Sequence, residues 1–132
     1  MNLTDFRTLG RSGLVVSPLA LGTMTFGKER WGSDDTVSEA VFNAYVDAGG
    51  NFIDTAEAYA GGRSEEMLAG FTQKRRLRDK LVLATKFSFS AEDGNPNAAG
   101  NGRKNMTRAL EGSLKRLGTT TSICTGCTSG TR

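Results

Sequence analysis

The sequence predicts an α/β fold in which parallel strands are joined by crossover helices. Short apolar runs alternate with segments of helical periodicity, as strand–helix units do. The run Leu81 to Thr85 is continuously apolar, as in a strand buried on both faces. Asp54 and Lys86 each stand where such a run gives way to a polar loop, which is how strands deliver polar chemistry to one mouth of a sheet.

The elements follow in order. Phe6 to Leu9 and Leu14 to Ser17 flank Gly10-Arg11-Ser12-Gly13, a hairpin pattern. Leu19 to Leu21 is an apolar run entered through Pro18 and ended by Gly22, read as a buried strand. The loop from Thr23 to Gly32 holds Met24, Phe26 and Trp31. Val37, Ala40, Val41, Ala44, Tyr45 and Ala48 recur at helical spacing and predict one apolar stripe. Ser33 is placed to cap that helix, Asp34 and Asp35 suit its positive end, and Gly49-Gly50 stops it.

Phe52 to Asp54 is the next strand. A helix from about Glu65, opened by Ser64, buries Met67, Leu68 and Phe71. The basic run from Lys74 to Lys80 could bind phosphate or nucleic acid, but it reads better as a solvated helix end where cations suit the dipole. Lys86 ends the strand that begins at Leu81. Ser88 to Gly102 is a long polar loop of the kind that covers a site. Arg103 to Leu117 is a third helix, with Met106, Leu110, Leu114 and Leu117 on one side and Gly118 at its end.

Composition sets bounds. A chain of 132 residues with 37% hydrophobic and 23% charged residues fits a globular domain, with no linker or internal repeat. The net charge of +3 gives no case for a nucleic-acid partner. No apolar run approaches the roughly 20 residues of a membrane span. The N-terminal residues lack a basic start and an apolar core, so no signal peptide is expected. Both cysteines, Cys124 and Cys127, lie near the end, as expected of a cytoplasmic protein without a disulfide framework. With no second pair and no histidine in the chain, Cys-Thr-Gly-Cys makes neither a zinc site nor a redox motif, and no metal is expected.

Three polar side chains fall at or just past strand ends: Asp54, Tyr59 and Lys86. On parallel neighbours they project at the same mouth. A free phenol has a pKa of roughly 10, too high for easy proton transfer near neutrality. A nearby ammonium stabilises the phenolate, and a carboxylate gives that ammonium its partner. The set makes sense as a tyrosine general acid tuned by a Lys–Asp pair. Singly, each has an ordinary reading: a turn cap, a loop aromatic, a solvated strand end. No Gly-x-Gly-x-x-Gly follows a strand, so a Rossmann site is not supported.

The sequence resembles an aldo-keto reductase from about Phe6 to Thr119. Leu9 to Ser17 looks like the family's opening hairpin, and Leu21-Gly22-Thr23-Met24-Thr25-Phe26-Gly27 like its first barrel strand and loop. Phe52-Ile53-Asp54-Thr55-Ala56-Glu57-Ala58-Tyr59 resembles the active-site segment, and Leu83-Ala84-Thr85-Lys86 the strand carrying the active-site lysine. Glu111 to Gly118 resembles the helix before the fourth strand. The resemblance implies a (β/α)8 TIM barrel and NADPH-dependent reduction of a small-molecule carbonyl substrate. It implies Tyr59 as proton donor, Lys86 as the group that lowers its pKa, and Asp54 as the partner of Lys86 near the nicotinamide. Gly22, Thr23 and Met24 are implied as further cofactor contacts. Phe26 and Trp31 line the substrate mouth, or else anchor their loop on the barrel. The oligomeric state is not specified.

After Gly118 the pattern breaks, dividing the chain into a family part, 1–118, and a tail, 119–132. The family continues with a strand such as Thr-Asp-Tyr-Ile-Asp-Leu-Tyr-Trp-Val-His-Val-Trp-Asp, whose histidine completes the active site. Deleting one base from the second codon of a suitable coding sequence turns that strand into Thr-Thr-Thr-Ser-Ile-Cys-Thr-Gly-Cys-Thr-Ser-Gly-Thr, which is Thr119 to Thr131. The tail is therefore expected to be a frame-shifted reading with an early stop, leaving a hairpin and three strand–helix units. Such a chain is expected to have little or no turnover alone. Its alternatives are a non-catalytic nucleotide-binding relative and a truncated product without function.

Overall fold

The computed structural model describes residues 1–89, 92–120 and 124–127, the last of these chiefly as backbone. A small antiparallel hairpin, β1 (Arg7–Thr8) and β2 (Val15–Val16), precedes a parallel sheet. That sheet has the order β3-β4-β5-β6, with β3 at Leu21–Gly22, β4 at Phe52–Asp54, β5 at Val82–Phe87 and β6 at Cys124–Cys127. All three pairings are parallel. The crossovers carry helices α1 (Asp35–Asp47), α2 (Arg63–Arg75) and α3 (Arg103–Arg116). This is part of a (β/α)8 barrel.

The strands form where apolar side chains can be buried between sheet and helices. Ile53 and Leu83, side by side in register, are 0% and 1% exposed. Met67, Leu68 and Phe71 of α2 pack against them, with Phe42 of α1 and Phe26 completing the core. The hairpin is fastened to the start of β4 by Asn51: its Oδ1 accepts from the Ser17 N–H at 2.7 Å, and its Nδ2 donates to the Val15 carbonyl at 3.0 Å. Beside it the Tyr45 hydroxyl lies 2.8 Å from the carbonyls of Leu19 and Phe52 and accepts from the Phe52 N–H at 3.1 Å. Gly50 is required there, because a Cβ would stand 2.3 Å from the Tyr45 ring. The hairpin thus closes the end of the sheet where strands begin and leaves the other end to the loops.

Several boundaries and faces differ from expectation. β3 begins at Leu21 rather than Leu19, and β5 runs on to Phe87, so Lys86 lies inside its strand. Asp34, not Ser33, caps α1, accepting from the Val37 N–H at 2.8 Å. The buried line of α1 is Ser38 and Phe42, while Val37 and Val41 of the expected stripe are 50% and 41% exposed. In α3 the buried line is Asn105, Ala109 and Ser113, one position away from the expected Met106, Leu110 and Leu114; Met106 is 41% exposed, while Leu117 of the expected line is buried at 4%. Ser64 does not cap α2; it is buried in a hydroxyl network, and Gly62 takes the cap position at φ +94°. The basic run divides: Lys74 pairs with Glu39 and Arg75 with Asp47, which joins α2 to α1.

A fourth strand is present where three were expected. β6, the Cys-Thr-Gly-Cys segment, lies beside β5 with Gly126 opposite Lys86. Three residues of extended chain span roughly 10 Å, beyond the ~4.4–6.8 Å that a disulfide allows between Cα atoms. Residues 121–123 and 128–132 of the tail lie outside the described residues.

Candidate active site

Asp54 is the last residue of β4, and the register sets Ala84 of β5 beside it. Lys86 comes two residues further along β5, on the same face as Ala84, because strand side chains alternate. The extended pairing continues beyond β4: the N–H groups of Thr55 and Glu57 donate to the carbonyls of Ala84 and Lys86 at 2.8 and 3.1 Å. The chain then turns at Tyr59–Gly62, where Ala60 and Gly61 adopt left-handed φ values of 50° and 64°. That turn brings Tyr59 back over the sheet end.

The three expected residues meet at the Lys86 ammonium. Its Nζ donates to Asp54 Oδ2 at 2.6 Å, to the Thr55 carbonyl at 3.0 Å and to the Tyr59 hydroxyl at 3.3 Å. An ammonium has three protons, and here three oxygens receive them. Nζ also stands 5.0 Å from the centroid of the Tyr59 ring. The side chains of Lys86 and Asp54 are 23% and 35% exposed, so the pair is half-buried yet reachable. A phenol held against a cation at the open end of a sheet can give a proton to a bound acceptor, and the cation stabilises the phenolate that remains.

The other expected residues are placed differently. Thr23 is fully buried, its hydroxyl donating to the Asp54 carbonyl at 3.2 Å and lying 2.9 Å from Ser64 Oγ. Gly22 is open, with no heavy atom within 4 Å of where a Cβ would stand, and Met24 is 50% exposed. Trp31 is 59% exposed, with Lys28 Nζ 5.6 Å from its ring. Phe26, read either as lining the substrate mouth or as anchoring its loop, is a core residue at 2% exposure, edge-on to Phe71 at 6.5 Å. It anchors its loop.

A second tier escaped sequence reasoning. Thr55 follows Asp54 and Thr85 precedes Lys86, so both turn to the opposite face of the sheet. There Thr55 Oγ1 lies 3.1 Å from Ser64 Oγ, and Thr85 Oγ1 donates to Glu65 Oε1 at 2.6 Å. Glu65 is 0% exposed, and its other oxygen accepts from Arg116 Nε of α3 at 2.6 Å. The first turn of α2 therefore grips the backs of both strands that carry charge. The available signal was a hydroxyl next to each charged strand residue. Among the described residues no group of three or more His, Cys, Asp or Glu is placed to hold a metal, and no helix is long and apolar enough to cross a membrane.

Comparison with known proteins agrees with this geometry. The sequence model of the aldo/keto reductase family matches residues 18–122. Norsolorinic acid reductase stcV of Emericella nidulans is 41% identical over 118 residues, covering 82% of this chain and 30% of that protein. An aryl-alcohol dehydrogenase of Pestalotiopsis microspora is 38% identical over 112 residues, covering 79% of this chain and 29% of its own. A probable voltage-gated potassium channel subunit beta of Oryza sativa is 40% identical over 115 residues, covering 86% and 34%. The chain thus spans about a third of the length of these relatives. Among solved structures, the holo aldo-keto reductase AKR11C1 of Bacillus halodurans superposes with a TM-score of 0.72 at 30% identity, over 86% of this chain and 36% of that one. A Pseudomonas aeruginosa protein assigned as an aldo-keto reductase superposes with a TM-score of 0.79 at 37% identity, over 96% and 48%.

Proposed function

The chain belongs to the aldo-keto reductase family, and on that premise we propose that it acts in the NADPH-dependent reduction of aldehydes or ketones to alcohols, with Tyr59 as proton donor. The observation that carries the reading is the single ammonium of Lys86 bonded at once to Asp54 and to the Tyr59 hydroxyl. Family members generally use NAD(P)H.

The residues at the sheet end fit such a cofactor. Gly22 is open, Met24 is exposed and the Asp54 carboxylate is partly exposed, all at the ends of β3 and β4. Thr23 would contribute its backbone, since its hydroxyl is already engaged. When bound, the reduced nicotinamide supplies a hydride to the carbonyl carbon. Tyr59 gives its hydroxyl proton to the carbonyl oxygen, completing the alcohol. Lys86, 3.3 Å away, stabilises the phenolate left behind, and Asp54 keeps Lys86 in place. Trp31, 59% exposed, would border the substrate. A cytoplasmic setting accords with cysteines confined to positions 124 and 127.

A second reading is nucleotide binding without turnover. The 40% identity to a channel subunit beta supports it, as does a chain without the histidine that the family resemblance puts on the fourth strand. NADPH consumption with aromatic and aliphatic aldehydes, read alongside NADPH fluorescence, separates the two. A chain that spans about a third of its relatives' length is expected to turn over little by itself; turnover that disappears in Tyr59→Phe while the fluorescence titration is unchanged supports the first reading. Binding without turnover favours the second reading, and neither signal refutes both for this chain.

A further inference from the structure

Glu57 belongs to the site segment, yet the proposed reaction has no use for it. Its side chain is 4% exposed. A carboxylate is costly to bury without a charged partner. Among the described residues, the side-chain donor that reaches it is Arg108 Nη2 of α3, 3.2 Å from Oε2 and 3.4 Å from Oε1. The same guanidinium donates from Nε and Nη2 to Asn105 Oδ1 at 3.1 and 2.7 Å. Asn105 is 2% exposed, and its Nδ2 donates to the Gly100 carbonyl at 2.8 Å. The Gly100 N–H in turn donates to the carbonyl of Ser88, two residues past Lys86, at 2.8 Å.

On its other side Glu57 is bound to the site itself, through its N–H to the Lys86 carbonyl at 3.1 Å. Tyr59 follows two residues later, and the left-handed Ala60 comes directly after it. A non-glycine residue in that conformation persists only where its surroundings hold it. We infer that Arg108 is a positioning residue: through Glu57 it sets the Tyr59 hydroxyl against Lys86, and through Asn105 it ties that setting to the loop between β5 and α3. The catalytic value of the relay rests on Tyr59 being the proton donor; the relay itself does not.

The test uses the full 132-residue chain with ring-13C-labelled tyrosine. Tyr45 and Tyr59 give two signals, assigned with Tyr59→Phe. Arg108→Met shifts the Tyr59 signal by more than a linewidth, leaves Tyr45 in place, and speeds amide exchange at Gly100. Arg108→Lys, which keeps a cation for Glu57, returns the Tyr59 signal to its original position. Where loss of Arg108 unfolds the chain, Glu57→Gln/Arg108→Met leaves no buried charge unpaired and gives the same shift. A Tyr59 signal that stays put in a folded variant overturns the inference. So does a joint movement of both tyrosines, a failure of Arg108→Lys to restore the signal, or unchanged exchange at Gly100. These shifts in a chain that reduces no carbonyl would refute the reaction and keep the relay; turnover without them would do the reverse.

Discussion

Lys86 places its protons on a carboxylate, a carbonyl and a phenol, and the second tier beneath it explains how it stays there. The lower tier rests on Glu65, a carboxylate with no exposed surface held by Arg116 and Thr85. Removing one partner of a buried pair leaves an uncompensated charge, which costs about 3–5 kcal/mol. Arg116→Leu is therefore expected to destabilise the chain by about 3 kcal/mol, the low end, because the Arg116 side chain is 26% exposed. Thr85→Val removes a single hydrogen bond to the same charge and is expected to cost about 1.5–3 kcal/mol. Urea unfolding of both variants checks the order. A Thr85→Val loss larger than that of Arg116→Leu would show that the hydroxyl, not the guanidinium, carries Glu65.

At the scale of elements, α1 and α2 are stitched along their exposed sides by Arg63–Asp35, Lys74–Glu39 and Arg75–Asp47. The hydrogen bond from Arg75 holds the Asp47 carboxyl below its ordinary value of 3.8. A depressed folded-state value means that the pair's contribution is fully present above that ordinary value and fades as pH falls through the folded one. The melting-temperature gap between wild type and Asp47→Asn is thus expected to be small above pH ~4 and to close on further acidification. A gap that widens in acid would contradict the pairing. These elements also show what a sequence can carry. The strand end at Asp54 was legible, and that of β5 was missed by one residue, because apolar runs and polar stops are local. Helix faces were not. The chain buries Ser38 and Asn105 and leaves Val37 and Met106 exposed, since a helix face is chosen by its neighbours and by the hydrogen bonds they offer.

Across the whole molecule, the parallel order β3-β4-β5-β6 sets the carboxylate, the phenol and the ammonium at one end and the hairpin at the other. The alternation of apolar runs and helical segments foretold this division, and the motif around Asp54 and Tyr59 foretold the upper tier of the site. The links from Glu57 to Arg108 and from Glu65 to Arg116 each span 51 positions, and no local pattern announces them. The strand at Cys124–Cys127 was equally hidden, because its composition has none of the apolar run that marks a buried strand. The central claim is that Tyr59 and Lys86 act as one unit on a bound carbonyl. A double-mutant cycle on kcat/KM for aldehyde reduction, using Tyr59→Phe, Lys86→Met and both together, tests it most directly. Each single variant is expected to lose on the order of 10²-fold or more, with the double variant no worse than the poorer single. Losses that multiply in the double variant would mean that the two groups work independently, and would contradict the claim.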